Sequence, residues 1–226
     1  MSNPWAFGWT QLLTIIGFAI TGSIAIFGFR SFNRWRREKL EEKRIEVALE
    51  AMAMAFESKY VFLAIRSPMS HPYEWKDMPK LEGETERERE KRGPYYAILA
   101  RVDRNKDFFE RLYKLQPRFL AMFGAEKEEV FMKAHTARRF IEVSAGMLMR
   151  DGNGQQNLNE NAQRQRNQWE ADIWDGMDQA YENADRVSKR LKEFQDDILN
   201  FCRPITAHKT KEKWSKLLGS CFFWRQ

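Results

Sequence analysis

Two cysteines, Cys202 and Cys221, are all that 226 residues contain. A pair without metal-type spacing builds neither a disulfide framework nor a zinc site, and it reads as two free thiols in a reducing compartment. Histidine is scarce as well: His71, His135 and His208 stand far apart, and none belongs to an H-E-x-x-H or E-x-x-H arrangement. Twelve glycines and seven prolines are few for this length, which argues against a turn-rich β architecture and leaves long helices. No Walker loop, dinucleotide fingerprint, nucleophile elbow, Ser–His–Asp arrangement or Cys–His pair can be assembled. No cofactor and no metal is expected, and an enzyme is conceivable only with a site scattered over several helices.

Charge is missing altogether from residues 1–29. Within them, Phe7 to Phe29 is an uncharged run of 23 residues with Gln11 as its one strongly polar member. As a helix it is about 35 Å long, slightly more than a hydrocarbon core of about 30 Å. It is apolar all round, unlike the striped helix of a globular core. A cleaved signal peptide would want a basic start and a shorter apolar core; here the start is uncharged and the run passes directly into Arg30. The segment therefore reads as a transmembrane helix. Trp5 and Trp9 precede it, while Phe32 and Trp35 follow it, as interfacial aromatics do.

The scarce commodity on one side of the span is abundant on the other. Residues 30–44 carry seven basic side chains against three acidic ones, and the tail 203–226 carries six against one. The body between them holds 25 basic and 28 acidic groups, so the net charge of +6 resides at its two ends. Basic ends beside a membrane span are explained by anionic head groups, and no nucleic-acid partner is expected. Arg30, Arg34, Trp35, Arg36 and Arg37 are the expected juxtamembrane lipid contacts. The positive-inside rule places the short segment 1–6 outside and the body in the cytosol. Within the span, Thr14, Gly17, Thr21, Ala25 and Gly28 put small residues along one face, a surface on which membrane helices approach closely.

Beyond the stalk at 30–44, no Gly or Pro intervenes before Ser67, so the helix is expected to continue. Its far half, Ile45 to Ile65, is apolar on most sides and should be buried. Residues 67–94 hold four of the seven prolines and read as a long loop, a solvated excursion or a partner dock, in which the alternating charge run at 82–92 is either disordered or a short exposed helix. Apolar spacing predicts a helix after Pro94 that kinks at Pro117 and ends at Gly124. A further helix follows from Ala125 to Arg150, and then a polar connection at 155–168. A single long helix is expected from Trp169 to Phe201, with Pro204 beyond it. The fold class is all-α: one transmembrane helix continuing into a cytosolic antiparallel bundle over 45–202.

Two charged clusters invite a functional reading. His135 shares a helix face with Glu128 and Glu142, but Arg138 and Arg139 crowd it, so a solvated or ion-paired face is expected. Asp172, Asp175, Asp178, Glu182 and Asp185 form an acidic flank on the long helix, read as solvated or as a dock for a basic partner. In the tail, Lys209, Lys213, Trp214, Lys216, Leu217 and Phe222 follow the pattern of a basic amphipathic helix on a membrane surface.

The uncharged start, the single span, the WRREKLEEKRIE stalk and the alanine- and methionine-rich helix after it resemble the layout of small bacterial single-pass inner-membrane proteins of unassigned function. The resemblance implies a bacterial host and carries no binding residue across. The expected role is a membrane-tethered helical interaction module, a scaffold, sensor or accessory subunit. Its partners are lipids and another protein or a second copy of itself. The alternatives are a membrane effector of a stress or defence response that oligomerises through the small-residue face, and a membrane-bound enzyme.

Overall fold

A computed structural model describes residues 8–151, 159–176 and 185–221, with side chains described to residue 207 apart from Thr10. Six α-helices and two short 3-10 turns account for nearly all of these residues, and no β-strand occurs among them. The helices are α1 (Trp9–Ile65), α2 (Glu86–Arg104), α3 (Lys106–Phe123), α4 (Glu128–Arg150), α5 (Glu160–Ile173) and α6 (Arg186–Cys221). The chain divides into two units, Met1–Glu46 and Val47–Gln226.

The first unit is the N-terminal part of α1. By length and composition this helix can cross a membrane, and none of its apolar window is buried. Thr21 and Ser23 return their hydroxyls to the carbonyls of Gly17 and Ala19, at 2.9 and 2.8 Å. These bonds satisfy both hydroxyls within the helix itself. The charged stretch that follows is laced by neighbouring ion pairs, Arg34–Glu38, Lys39–Glu42, Lys43–Glu46 and Arg44–Glu41. Such exposed pairs between neighbouring turns support a solvated helix only weakly.

In the second unit α4 is central and packs against α2, α5 and α6. Phe119, Phe131, Phe194 and Phe201 form a continuous aromatic seam among α3, α4 and α6, with ring centroids 5.2–6.1 Å apart. The final turns of α1 contribute Val47, Ala48, Ala51, Met54, Ala55, Val61, Phe62 and Ile65 to the core. Contrary to the expectation of burial on most sides, the opposite face of the same turns is open: Leu49, Phe56, Tyr60 and Leu63 are all at least half exposed.

Several boundaries differ from those the sequence suggested. The helix expected after Pro94 begins at Glu86 and passes through Pro94, because Thr85 and Glu88 close a reciprocal capping box. From Glu86 onward the acid–base run is thus helical, one of the two states expected for it. It breaks at Asn105 into α2 and α3, and Pro117 lies within α3. Gly124 ends α3 with φ of 103°, a conformation that suits glycine. The expected helix from Ala125 opens with a 3-10 turn, Ala125–Lys127, before α4. Most of the polar connection is the start of α5, capped by Asn159 Oδ1 on the Ala162 amide. The single long helix from Trp169 is two helices: Trp174 is extended and Gly176 has φ of 79°. Asp185 then caps α6 through the amides of Val187 and Ser188, both at 3.0 Å. Pro204 falls inside α6 rather than after it. Leu158, Met177, Asp178, Ala180, Glu182 and Ala184 lie outside the described residues.

Candidate functional site

The largest concentration of buried charge forms where α1 ends. Arg66 is 1% exposed. Its guanidinium donates to the carbonyls of Asp172 (3.0 Å), Ala171 (2.8 Å) and Trp174 (2.9 Å) and to Ser188 Oγ (2.9 Å). It also pairs with Asp185 at 2.7 Å and more loosely with Asp175 at 3.6 Å. In return the Arg66 carbonyl accepts from the Asp175 amide at 2.9 Å. The last turn of α5 leaves carbonyls without helical donors, and a planar five-donor cation meets several of them at once.

Beside it, Asp172 is fully buried and takes both arms of Arg186, at 2.8 and 2.7 Å, with Ser144 Oγ at 2.5 Å and Gln168 Nε2 at 3.2 Å. Arg186 in turn covers the Phe140 ring, 4.0 Å from its centroid. The acidic flank read as solvated is therefore corrected. Asp172 and Asp185 turn inward and neutralise two arginines, and Asp175 stands at the rim. Five acidic residues on one continuous helix would point along a surface; the break at Trp174–Gly176 lets two of them converge. The signal was in the sequence: Asp175-Gly176 is a turn dipeptide, and Asp185 stands where an N-cap should.

Arginines from α2 tie down the proline-rich segment 67–85. Arg101 donates to both oxygens of Glu74, at 2.7 and 2.9 Å, and to the carbonyls of Ser67, Ile65 and Met69. Glu74 also receives Arg104 at 2.8 Å and the His71 amide at 3.1 Å. The Arg101 hydrogen bonds chiefly hold the Glu74 carboxyl down, from 4.5 to about 2, against the opposing effect of burial. Arg92 clasps Glu84, again with both arms. Trp75 lies flat on Gly93, where an added Cβ would stand 2.4 Å from the indole. The segment is strapped to α2, and most of its residues nevertheless stay exposed, as expected of a solvated excursion. Leu81, Gly83, Glu84, Arg92, Leu99 and Met149 contribute to an open cleft of about 640 Å³ beneath it.

The face around His135 is ion-paired, as expected, through Arg138 and Glu142 at 2.7 Å, but His135 takes no part in the pair. It stacks on Tyr113 at 4.3 Å, and its Nε2 donates to Gln116 Oε1 at 2.8 Å. Nδ1 is buried without a hydrogen-bond partner among the described residues. Burial, aided by the Arg138 charge, lowers its pKa and favours the neutral ring. Glu142 pairs with Arg138, so the carboxylate–histidine stripe does not assemble. Among the described residues no group of three or more His, Cys, Asp and Glu is placed to hold a metal ion. Cys202 is wholly buried, and burial pushes its thiol up to about 11, which leaves it a poor nucleophile.

The remaining sequence-predicted residues lie on α1 or in the tail. Thr14, Gly17, Thr21, Ala25 and Gly28 are all exposed, with open space around Gly17 and Gly28. Arg30, Arg34, Trp35, Arg36 and Arg37 are exposed, and Phe32 packs against Trp35 at 5.8 Å. The side chains of Lys209, Lys213, Trp214, Lys216 and Leu217, and all of Phe222, lie outside the described residues. Sequence reasoning missed Arg66, Arg92 and Arg101. An isolated arginine in a charge-rich chain carries no mark of burial, and only its tertiary partners give it a role. The chain matches no protein-family model, no curated protein and no solved structure.

Proposed function

We propose that this chain is a membrane-tethered interaction module, a scaffold, sensor or accessory subunit at the cytosolic face of a bacterial inner membrane. One observation carries the reading: α1 is uncharged and wholly unburied through its first turns, then becomes an exposed, ion-paired basic helix from Arg30 onward. Exposed apolar surface on that scale is stable only in lipid. The positive-inside rule then puts residues 1–6 outside and the body inside. Arg30, Arg34, Trp35, Arg36 and Arg37 contact head groups, and the basic aromatic tail from Lys209 to Phe222 lies on the same lipid surface.

In this reading the body is an antiparallel bundle. Its support is the sense of the cross-helix pairs. Arg66 meets Ser188 and Ser58 meets Gln195, while Glu57 meets Arg111 and Glu50 meets Arg118. Lys127 lies over Phe201 and Lys133 pairs with Asp197. In each series one index rises as the other falls.

Alkaline carbonate extraction of cell membranes, followed by protease digestion of sealed inverted vesicles, tests the reading. The protein should stay in the pellet, and the body should be digested from the cytosolic side. Release by carbonate would sink the tether, and a protected body would reverse the orientation.

A further inference from the structure

The cleft of about 640 Å³ between the turn at 81–84, α2 and the last turns of α4 falls within the range of small-ligand sites, about 300–1,000 Å³. Gly146 of α4 lines it, and the fold gives no reason for a glycine there. Its φ is not positive, and a Cβ added to it would meet nothing within 4 Å. Neither backbone conformation nor close packing therefore excludes alanine, which would make the better helix. The missing side chain instead leaves the cleft open beside Leu99 and Met149, both half-buried and apolar.

A second observation concerns the polar lining. The Arg92 side chain is only 9% exposed. Its Nε and Nη2 donate to Glu84 at 2.5 and 2.8 Å, and Nη2 also reaches the Pro79 carbonyl at 3.3 Å. Nη1, with two N–H groups, has no partner among the described residues. Glu84 already neutralises this guanidinium, so Nη1 is a donor for a neutral oxygen such as a peptide carbonyl rather than a seat for a bare anion. At the rim stand two exposed side chains of opposite charge, Glu82 on the turn and Arg150 at the end of α4. Neither has an ion-pair partner among the described residues.

We infer that this cleft binds a short zwitterionic peptide, a di- or tripeptide with bulky apolar side chains. A peptide carbonyl accepts from Arg92 Nη1, the ammonium end faces Glu82 and the carboxylate end faces Arg150. An apolar side chain lies on Leu99 and Met149, in the space that Gly146 leaves. Other ligand classes meet only part of this lining. A free amino acid has no amide carbonyl for Arg92, a fatty acid has no ammonium for Glu82, and a bare anion meets Glu82, Glu84 and Glu88. The site lies wholly within the unit Val47–Gln226, so it stands whether or not the chain is tethered.

The test is isothermal titration calorimetry of the full-length chain, purified in a mild detergent, with the dipeptide Leu-Leu. Binding with a Kd of about 0.1–1 mM is expected, as suits so small a ligand. Leucine, and Leu-Leu acetylated and amidated at its ends, should each bind about tenfold more weakly. Glu82→Gln and Arg150→Gln should each weaken Leu-Leu about three- to tenfold. Gly146→Leu should fill the cleft and abolish binding. Gly146→Ala should raise the melting temperature, as alanine does within a helix, yet weaken Leu-Leu about threefold, a split that a purely structural glycine would not show. No binding of Leu-Leu or Leu-Leu-Leu at about 10 mM would overturn the proposal. So would equal affinity for the capped peptide or for leucine, and so would binding that survives Gly146→Leu. If Gly146→Leu misfolds, judged by circular dichroism, unchanged affinity in Gly146→Ala, Glu82→Gln and Arg150→Gln would overturn it instead.

Discussion

Replacing Arg66 with methionine keeps an unbranched chain of similar reach and removes all the guanidinium donors from the junction at the end of α1. Three carbonyls, those of Ala171, Asp172 and Trp174, lose a charged partner, and Asp185 loses its 2.7 Å counter-ion. Breaking a buried pair from one side costs about 3–5 kcal/mol. Asp185 keeps three other donors, the Val187 and Ser188 amides and Ser188 Oγ, which lowers its share of the penalty. About 4 kcal/mol is expected in total, a large part of a stability of about 5–15 kcal/mol. Urea titration followed by circular dichroism should show the loss as a lower midpoint at unchanged slope. A melting temperature should fall by about 8–16 °C. Arg66→Lys retains the charge but not the planar fork, and should cost about half as much. Arg66→Met with Asp185→Asn should recover about 1–2 kcal/mol, because the stranded carboxylate is gone. The reasoning is wrong if Arg66→Met costs less than about 1 kcal/mol, or if Arg66→Lys is as damaging as methionine.

The strapped segment gives two further tests. Gly93→Ala places a methyl group against the Trp75 indole, so the segment 67–85 should lift from α2 and be cut faster by a protease, with a stability loss of about 1–3 kcal/mol. Because the Glu74 carboxyl is lowered when folded, its contribution is complete above about 4.5 and is lost as pH falls toward about 2. The full effect is about 3 kcal/mol, reduced to about 2 by screening on the half-exposed Arg104 side. Stability measured over that pH range should decline less steeply in Glu74→Gln. Cys202 should react with a thiol reagent only as fast as the chain opens, so its rate should rise with urea even below the transition, in step with the falling stability. Rapid labelling of the native chain would contradict its placement in the core.

How much of this was legible before folding depended on how local the signal was. The all-α class, the unbroken passage from span through stalk to Ile65, and the stop at Gly124 follow from composition, from the absence of Gly and Pro, and from one glycine at a helix end. Where the reading went astray, a short-range cue was outvoted by a longer pattern. Thr85-x-x-Glu88 starts α2 despite the proline after it, because a capping box acts within four residues and Pro94 removes only one donor. Asp175-Gly176 breaks the stripe from Trp169, because a backbone that turns through positive φ ends a helix however well the apolar spacing continues.

By itself, the sequence determined the helical class, the apolar segment able to cross a bilayer and the segregation of basic charge to the ends of the body. These depend on periodicity, length and composition, which each stretch of chain carries alone. Tertiary structure decided which charges are buried and which apolar residues are not. Arg66, Asp172 and Asp185 look like any other surface ions until chain segments more than a hundred residues apart meet. Leu49, Phe56, Tyr60 and Leu63 look like core until the core is seen to form on the other side of their helix. Burial is a property of partners, and partners distant in sequence leave no local mark.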